Sequence, residues 1–151
     1  MQYLLIIPCI FVFTYAVSDQ FVKEVKSKIV EIASDCISEV GASNEDVLEL
    51  LSKKLPSTRE GKCLVSCFQK KFGFQDENGK PDQERTLALL ESLHDDDPVM
   101  YNNVLQIALT CSSEVYKMEI ADHCDAAVAI CVCAIREGQK FGLEDPFILT
   151  G

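Results

Sequence analysis

The fold is decided by the segment Lys62-Cys63-Leu64-Val65-Ser66-Cys67, in which the two cysteines lie one helical turn apart. Because both would project from the same face of one helix, a bridge from either must reach a different helix. The pair belongs to a ladder of six cysteines, with 26, 3, 43, 12 and 8 residues between successive members. The ladder predicts a shell of helices joined by disulfide bonds. Its members are Cys36, Cys63, Cys67, Cys111, Cys124 and Cys133.

Residues 1–18 are typical of a secretory signal peptide. They contain no charged side chain, and their apolar run from Tyr3 to Phe13, broken only by Pro8, is too short to span a bilayer. Small residues follow in the sequence Ala16-Val17-Ser18, as a cleavage site requires. We therefore expect a secreted, extracellular protein whose mature chain begins near Asp19.

Residues 19–151 are predicted to form one helical domain, since they suffice for a single hydrophobic core and not for two ordinary domains. The chain has 24 acidic and 14 basic residues and a formal charge of -10, so nucleic acid and anionic lipid surfaces would repel it. In an oxidising compartment the cysteines favour bridges over a metal cluster. We expect no nucleic-acid partner, no stable membrane insertion, no metal and no cofactor.

Apolar residues recur at steps of three and four along most of this domain, which predicts six helices and no convincing strand. The polar segment 75–81, which contains Asn78-Gly79, predicts a turn between the third and fourth helices. Glycines, prolines and short polar side chains mark the helix ends. The predicted limits are Gly41 after the first helix, Ser43 or Asn44 to about Lys54 for the second, about Thr58 to Gly73 for the third, Pro81-Asp82 at the start of the fourth, Asp97-Pro98 at the start of the fifth, and Asp122 to Gly138 for the sixth.

The last helix is predicted to be the centre of the fold. Its run from Ala126 to Ile135 contains no charge or polar amide, so protein should surround most of its circumference. Cys124 and Cys133 are about 900° apart around this helix, which is half a turn beyond whole turns, so bridges can leave on opposite flanks. Cys131 faces away from Cys133 and is interpreted as a small buried hydrophobic residue. The alternative for this cysteine is a bridge between two chains.

The cysteine spacing, the segment 62–67 and the six helices together resemble the insect odorant-binding and pheromone-binding protein family. The resemblance covers the whole of residues 19–151. It implies an all-α fold, a six-helix disulfide-stapled shell around an apolar cavity, with a C-terminal tail. Sequence alone leaves all pairings of the six cysteines open. The resemblance implies the pairs Cys36 with Cys67, Cys63 with Cys124, and Cys111 with Cys133.

The side chains available to line such a cavity are aliphatic or phenyl groups, which favours a small, largely apolar, uncharged guest. The resemblance implies an extracellular carrier that reversibly binds an odorant, a pheromone or a fatty-acid-like molecule. It also implies that the apolar tail around Asp145-Pro146 forms a wall of the cavity. The predicted ligand-binding residues are Phe68, Phe72, Leu87, Leu90, Met100, Val104, Ile107, Val128, Val132, Phe147 and Ile148.

The alternatives put the same scaffold to another use, as a lipid or hormone carrier outside olfaction or as a surface for a protein partner. A secreted hydrolase is disfavoured, because Asp122-His123-Cys124-Asp125 lacks the His-Asp order and the calcium loop of a secreted phospholipase. We expect no enzyme activity. We expect a monomer or weak homodimer, for which the resemblance also allows contact with a chemoreceptor. The family often releases ligand as pH falls, which makes His94 and His123 candidate triggers.

Overall fold

The structure, a computed structural model, describes residues 17–143. These residues form α1 (Asp19–Val40), α2 (Asn44–Leu51), α3 (Arg59–Phe72), α4 (Gln83–Asp96), α5 (Pro98–Lys117) and α6 (His123–Lys140). Over this range there is no strand, and the turn after α3 makes a single isolated bridge between Gln75 and Pro81. The all-α fold expected from the sequence is confirmed.

Side-chain and glycine caps set most helix limits close to those predicted. Ser43 is the N-cap of α2, and the Asp46 carboxylate accepts a hydrogen bond from the Ser43 backbone amide, so the first turn is closed from both sides. Gly41 and Gly73 end α1 and α3 in the left-handed conformation, with φ of 69° and 92°. The N-caps of α3, α4, α5 and α6 are Thr58, Asp82, Asp97 and Asp122.

Two predicted helix ends are wrong. α2 stops at Leu51, before its predicted end, because Lys53 has a φ of 58°, which no right-handed helix continues. α6 runs past Gly138 to Lys140. The backbone amide of Leu143 donates to the Gly138 carbonyl at 2.9 Å, and a Cβ on residue 138 would lie 3.3 Å from the Leu143 carbonyl oxygen. Gly138 therefore lets the chain fold back closely against the helix and does not end it.

Five of the six helices form a ring. α1 packs on α3, α3 on α6, α6 on α5, and α5 on α4, while α2 packs closely only on α3. The two ends of this series meet where the backbone amide of Ser18 donates to Asp96 Oδ2 at 2.8 Å and the Ser18 hydroxyl donates to the other oxygen. α1 and α4 do not pack closely along their lengths. The ring therefore has an interior bounded by α1, α3, α6, α5 and α4.

Three disulfide bonds fasten neighbouring helices of this ring. The pairing is the one that the family resemblance implies. Because the two cysteines of α6 leave its opposite flanks, this helix is joined to α3 on one side and to α5 on the other. The bonds join Cys36 of α1 with Cys67 of α3, Cys63 of α3 with Cys124 of α6, and Cys111 of α5 with Cys133 of α6.

The buried apolar residues form two clusters. α6 contributes less to them than its uncharged run predicts, because Val132 within that run is 43% exposed. The α4–α5–α6 cluster consists of Leu90, Leu93, Met100, Ile107, Cys111, Cys133 and Leu143, and the α1–α3 cluster of Cys36, Leu64 and Cys67.

No helix within residues 17–143 has the length and apolar character that crossing a membrane requires.

Candidate ligand-binding site

The candidate site is the interior of the ring, where apolar side chains remain only partly covered. They come from the start of α1, from α5, and from α6 with the residues after it, and they pack against the α4–α5–α6 cluster. Because these side chains are only partly buried against the cluster, they keep apolar surface that a guest can cover. They are Val17, Phe21, Tyr101, Val104, Leu105, Ala108, Ala134 and Phe141.

Four of the predicted ligand-binding residues meet at this cluster. Leu90, Met100 and Ile107 are buried within it. Val104 is half-buried against it, which leaves part of its side chain uncovered. Phe68 is also half-buried but packs against the α1–α3 cluster instead. The sequence-based set is therefore divided between two parts of the core.

The other predicted residues are less enclosed or lie elsewhere. Phe72 and Val128 are half-buried. Leu87 and Val132 are 42% and 43% exposed, the largest exposed fractions among the predicted residues that the structure describes. Each assignment to the ligand remains a prediction. The predictions for Phe147 and Ile148 fall outside the described residues.

The sequence-based set omitted α1, although its first turn reaches the site. Phe21 of this turn packs against the α4–α5–α6 cluster, as does Val17, which precedes the helix. The signal was present, because Phe21 belongs to an apolar stripe at helical spacing. Such a stripe identifies a buried face without identifying the helices that cover it. The helices that pack against α1 could therefore be identified only from the structure.

A solvent-open groove of about 460 Å³ lies between α1, α3 and α4. It occupies the gap where α1 and α4 face each other without close packing. Its volume is comparable to that of small-molecule sites, which are roughly 300–1,000 Å³. Charged, polar and apolar side chains line it, namely Lys28, Lys71, Phe72, Arg85, Ala88, Leu89 and Ser92.

A buried polar network joins α3, the turn 75–81 and the start of α6. The Gln75 amide nitrogen donates to the carbonyls of Gly79 and His123 at 3.0 and 2.9 Å, which leaves its amide oxygen 2.6 Å from the Ser66 hydroxyl. Gln75 therefore accepts the single hydroxyl proton of Ser66. His123 Nδ1, 2.9 Å from Ser66 Oγ, must then carry a proton and donate it. This arrangement prevents His123 from accepting the Ser66 proton.

Ion pairs across the helices hold carboxyl groups in their charged form. A hydrogen bond from Arg59, at 2.6 Å, holds the pKa of the Asp122 carboxyl well below its usual range. A hydrogen bond from Arg136 lowers the pKa of Glu114 in the same way. A carboxyl whose folded pKa is depressed contributes stability above its unfolded pKa, about 4, and this contribution is lost as pH falls through the folded value.

We therefore expect the free energy of unfolding to be nearly constant from pH 7 to pH 5 and to decrease below about pH 4.5, as these carboxyl groups become protonated in the unfolded chain. Urea titrations at a series of pH values measure this dependence. Arg136→Gln, which removes the partner of Glu114, should make the decrease shallower. A decrease between pH 7 and pH 5.5 would contradict the prediction.

Cys131 is the one cysteine among residues 17–143 that forms no disulfide bond. Its side chain is half-buried, and the Gln69 amide nitrogen donates to its sulfur at 3.3 Å. Burial raises the pKa of this thiol to about 11. Because the thiolate is the reactive form, Cys131 should be chemically inert while the protein is folded.

We expect folded protein at pH 8 to react with iodoacetamide more than about a hundredfold more slowly than an unperturbed cysteine, since only about one Cys131 thiol in a thousand is ionised. Mass spectrometry of samples taken over time, with and without urea, measures the rate. A non-reducing gel should show a monomer. Rapid labelling of the folded protein, or a dimer that reducing agent dissociates, would contradict this expectation.

Comparison with known proteins places this geometry among related chains. The model of the PBP/GOBP family matches residues 18–137. The chain is 37% identical to general odorant-binding protein 28a of Drosophila melanogaster over 121 residues, 80% of this chain and 82% of the relative. It is 35% identical to general odorant-binding protein 19d of the same species over 114 residues, 76% of this chain and 74% of the relative. The solved structure of odorant-binding protein dmelOBP28a from Drosophila melanogaster superimposes with a TM-score of 0.65 and 37% identity, covering 81% of this chain and 98% of that one.

Proposed function

The chain belongs to the PBP/GOBP family, and we propose that it is an extracellular carrier that reversibly binds small hydrophobic molecules inside its ring of helices. The observation that carries this proposal is the ring itself, in which three disulfide bonds fasten neighbouring helices around partly covered apolar side chains. The odorant or pheromone class of the ligand is part of the proposal. The odorant class is supported by the names of both Drosophila relatives, which are general odorant-binding proteins.

Disulfide bonds would help a domain of this size to keep an apolar interior open to a ligand. An empty apolar cavity costs roughly 24 cal/mol per Å³, which favours collapse unless the helices are held apart. Bridges constrain the unfolded chain and so stabilise the folded one, which offsets the cost of such a cavity. A ligand that loses about 300 Å² of apolar area gains about 7 kcal/mol by transfer, before ordering costs. Taken alone, this transfer term corresponds to a Kd of about 10 μM, and ordering costs weaken it, so binding should be reversible.

The extracellular location is supported by the composition of residues 1–18 and by the disulfide bonds, which persist in oxidising compartments. Only Val17 and Ser18 of this segment belong to the described residues. Cleavage after Ser18 would remove its hydrogen bonds to Asp96, whereas cleavage after Ala16 would keep them. N-terminal sequencing of secreted protein distinguishes the two sites, and retention of residues 1–18 would contradict the proposal.

The proposal includes no enzyme activity, although Ser66 and His123 form a serine-histidine pair at hydrogen-bond distance. A nucleophilic serine needs a histidine that accepts its proton, and here that proton is donated to Gln75. Ser66 is also completely buried, so a substrate could not reach it. Both observations favour a structural role for the pair over hydrolysis.

Fluorescence titration with the apolar probe N-phenyl-1-naphthylamine tests the carrier function. We expect saturable binding with a Kd in the micromolar range. Val104→Trp should weaken it at least tenfold, because the larger side chain would occupy space beside the α4–α5–α6 cluster. Far-UV circular dichroism would verify that the variant is folded.

Val99→Trp is the matched control, because Val99 lies on the same helix and is 63% exposed. It should bind the probe like the original protein. Failure of the original protein to bind the probe would contradict the carrier function. Equal binding by both variants would contradict the placement of the ligand beside α5.

A further inference from the structure

We propose that the groove between α1, α3 and α4 binds the anionic head of an amphiphilic ligand, such as a fatty-acid anion, whose apolar chain extends into the ring. The inference rests on the proposed carrier function and specifies the chemical class of the ligand. It follows from three properties of the groove, which are its charge, the availability of its cations and its apolar lining.

The groove is positively charged in a protein that is otherwise strongly acidic. Lys28, Lys71 and Arg85 line it, and no acidic residue does so among the described residues. The chain has only 14 basic residues against 24 acidic ones, and its net charge of -10 repels anions from most of the surface. Lys28 and Arg85 together therefore make this groove a favourable place for a negatively charged group.

Two of these cations have no carboxylate partner among residues 17–143. Lys71 lies 3.9 Å from Asp35 and 3.7 Å from Glu39, so its charge is already shared. No carboxylate of the described residues lies within 4.0 Å of the side-chain nitrogens of Lys28 or Arg85. An external carboxylate can therefore pair with either one without displacing an internal partner.

Local contacts hold both side chains at the groove. Lys28 Nζ lies 5.2 Å above the centre of the Phe72 ring, a cation–π contact that holds the ammonium group beside an apolar surface. Arg85 Nη2 donates to the Lys70 carbonyl at 3.0 Å, which fixes one edge of the guanidinium. Four further N–H donors of the guanidinium remain for a ligand. Both cations are therefore positioned before an anion arrives.

Part of the lining is apolar. Phe72, Ala88 and Leu89 contribute to it, and Leu89 is followed by Leu90 of the α4–α5–α6 cluster. A guest bound here meets cations and apolar side chains together. A long-chain carboxylate matches both, whereas an uncharged odorant would leave the cations unused. A free inorganic anion would match the charge alone.

Displacement of N-phenyl-1-naphthylamine by hexadecanoate and by hexadecan-1-ol tests the inference, because the two competitors share their chain and differ in charge. At low ionic strength and pH 7.4 we expect the carboxylate to bind about fivefold more tightly than the alcohol. Raising the salt concentration to about 0.5 M should remove most of this preference by screening. The double variant Lys28→Gln, Arg85→Gln should lose the preference and retain the affinity for the alcohol.

The double variant Lys23→Gln, Lys117→Gln is the control. It changes the net charge equally at two exposed positions outside the groove, and it should keep the fivefold preference. Equal binding of carboxylate and alcohol by the original protein, or equal loss in both double variants, would overturn the inference while leaving the carrier function intact. Failure of the original protein to bind the probe at all would overturn both.

Discussion

Replacing Cys63 and Cys124 together by alanine is expected to lower the free energy of unfolding by about 4 kcal/mol. This bridge has a sequence separation of 61, against 31 and 22 for the other two, so its removal frees the longest loop of the unfolded chain. Domains of this size are stable by about 5–15 kcal/mol, so a large share would be lost. Urea titration of the original and variant proteins measures the difference.

The matched control for this experiment is Cys131→Ala, which removes a cysteine of the same helix that forms no bridge. It should cost less than about 1 kcal/mol, because it removes one half-buried sulfur and a weak contact from Gln69. Equal costs for the two changes would show that lost packing, and not the cross-link, stabilises the fold. The Cys111 and Cys133 pair, which closes the shortest loop, should cost somewhat less than the Cys63 and Cys124 pair.

Gly79→Ala is expected to lower the free energy of unfolding by about 3 kcal/mol. Gly79 has a φ of 81°, and a Cβ at this position would lie 2.5 Å from His123 Cβ and 2.7 Å from His123 Cα. Neither atom can move away without shifting the first turn of α6. A displaced turn would also break the hydrogen bonds from Gln75 to the Gly79 and His123 carbonyls. Chemical denaturation measures the loss.

Gly41→Ala separates the clash from the backbone strain. Gly41 has a similar φ of 69°, but nothing lies within 4 Å of a Cβ placed there. Its replacement should therefore cost only the left-handed conformation of alanine, about 1 kcal/mol. If both replacements cost the same, the contact between the turn 75–81 and α6 contributes nothing measurable.

The features that the sequence predicted well depend on residues close together along the chain. Ser43, Asp97 and Asp122 cap helices where their hydrogen-bonding side chains precede an apolar periodic segment. Gly73 ends α3 because a left-handed residue is required there. Such rules operate over three or four positions, so one sequence suffices to apply them. The prediction that Gly138 ends α6 was wrong for the same reason. The role of this glycine depends on its contact with Leu143, five residues later, and not on its immediate neighbours.

The features that the sequence did not predict depend on residues far apart along the chain. The groove brings Lys28 of α1 beside Arg85 of α4, and helical periodicity cannot reveal which exposed cations become neighbours. The close approach of Gly79 to His123 is equally non-local, since the glycine indicated only a turn. For the candidate site, apolar spacing identified Leu90, Met100, Val104 and Ile107 near one cluster, but it could not place Phe68 in the other.

The junction of α1 with α4 differs from the other junctions of the ring in what must break for it to separate. It depends on the packing of Phe21 and, where the mature chain keeps Val17 and Ser18, on the packing of Val17 and the hydrogen bonds of Ser18 to Asp96. It has no cross-link and no close helix packing along its length. Local fluctuations of a folded protein are most frequent where the fewest contacts are lost. Separation of α1 from α4 would therefore let a ligand enter and leave without breaking a disulfide bond. A carrier built this way can bind and release ligand repeatedly while its three disulfide bonds stay intact.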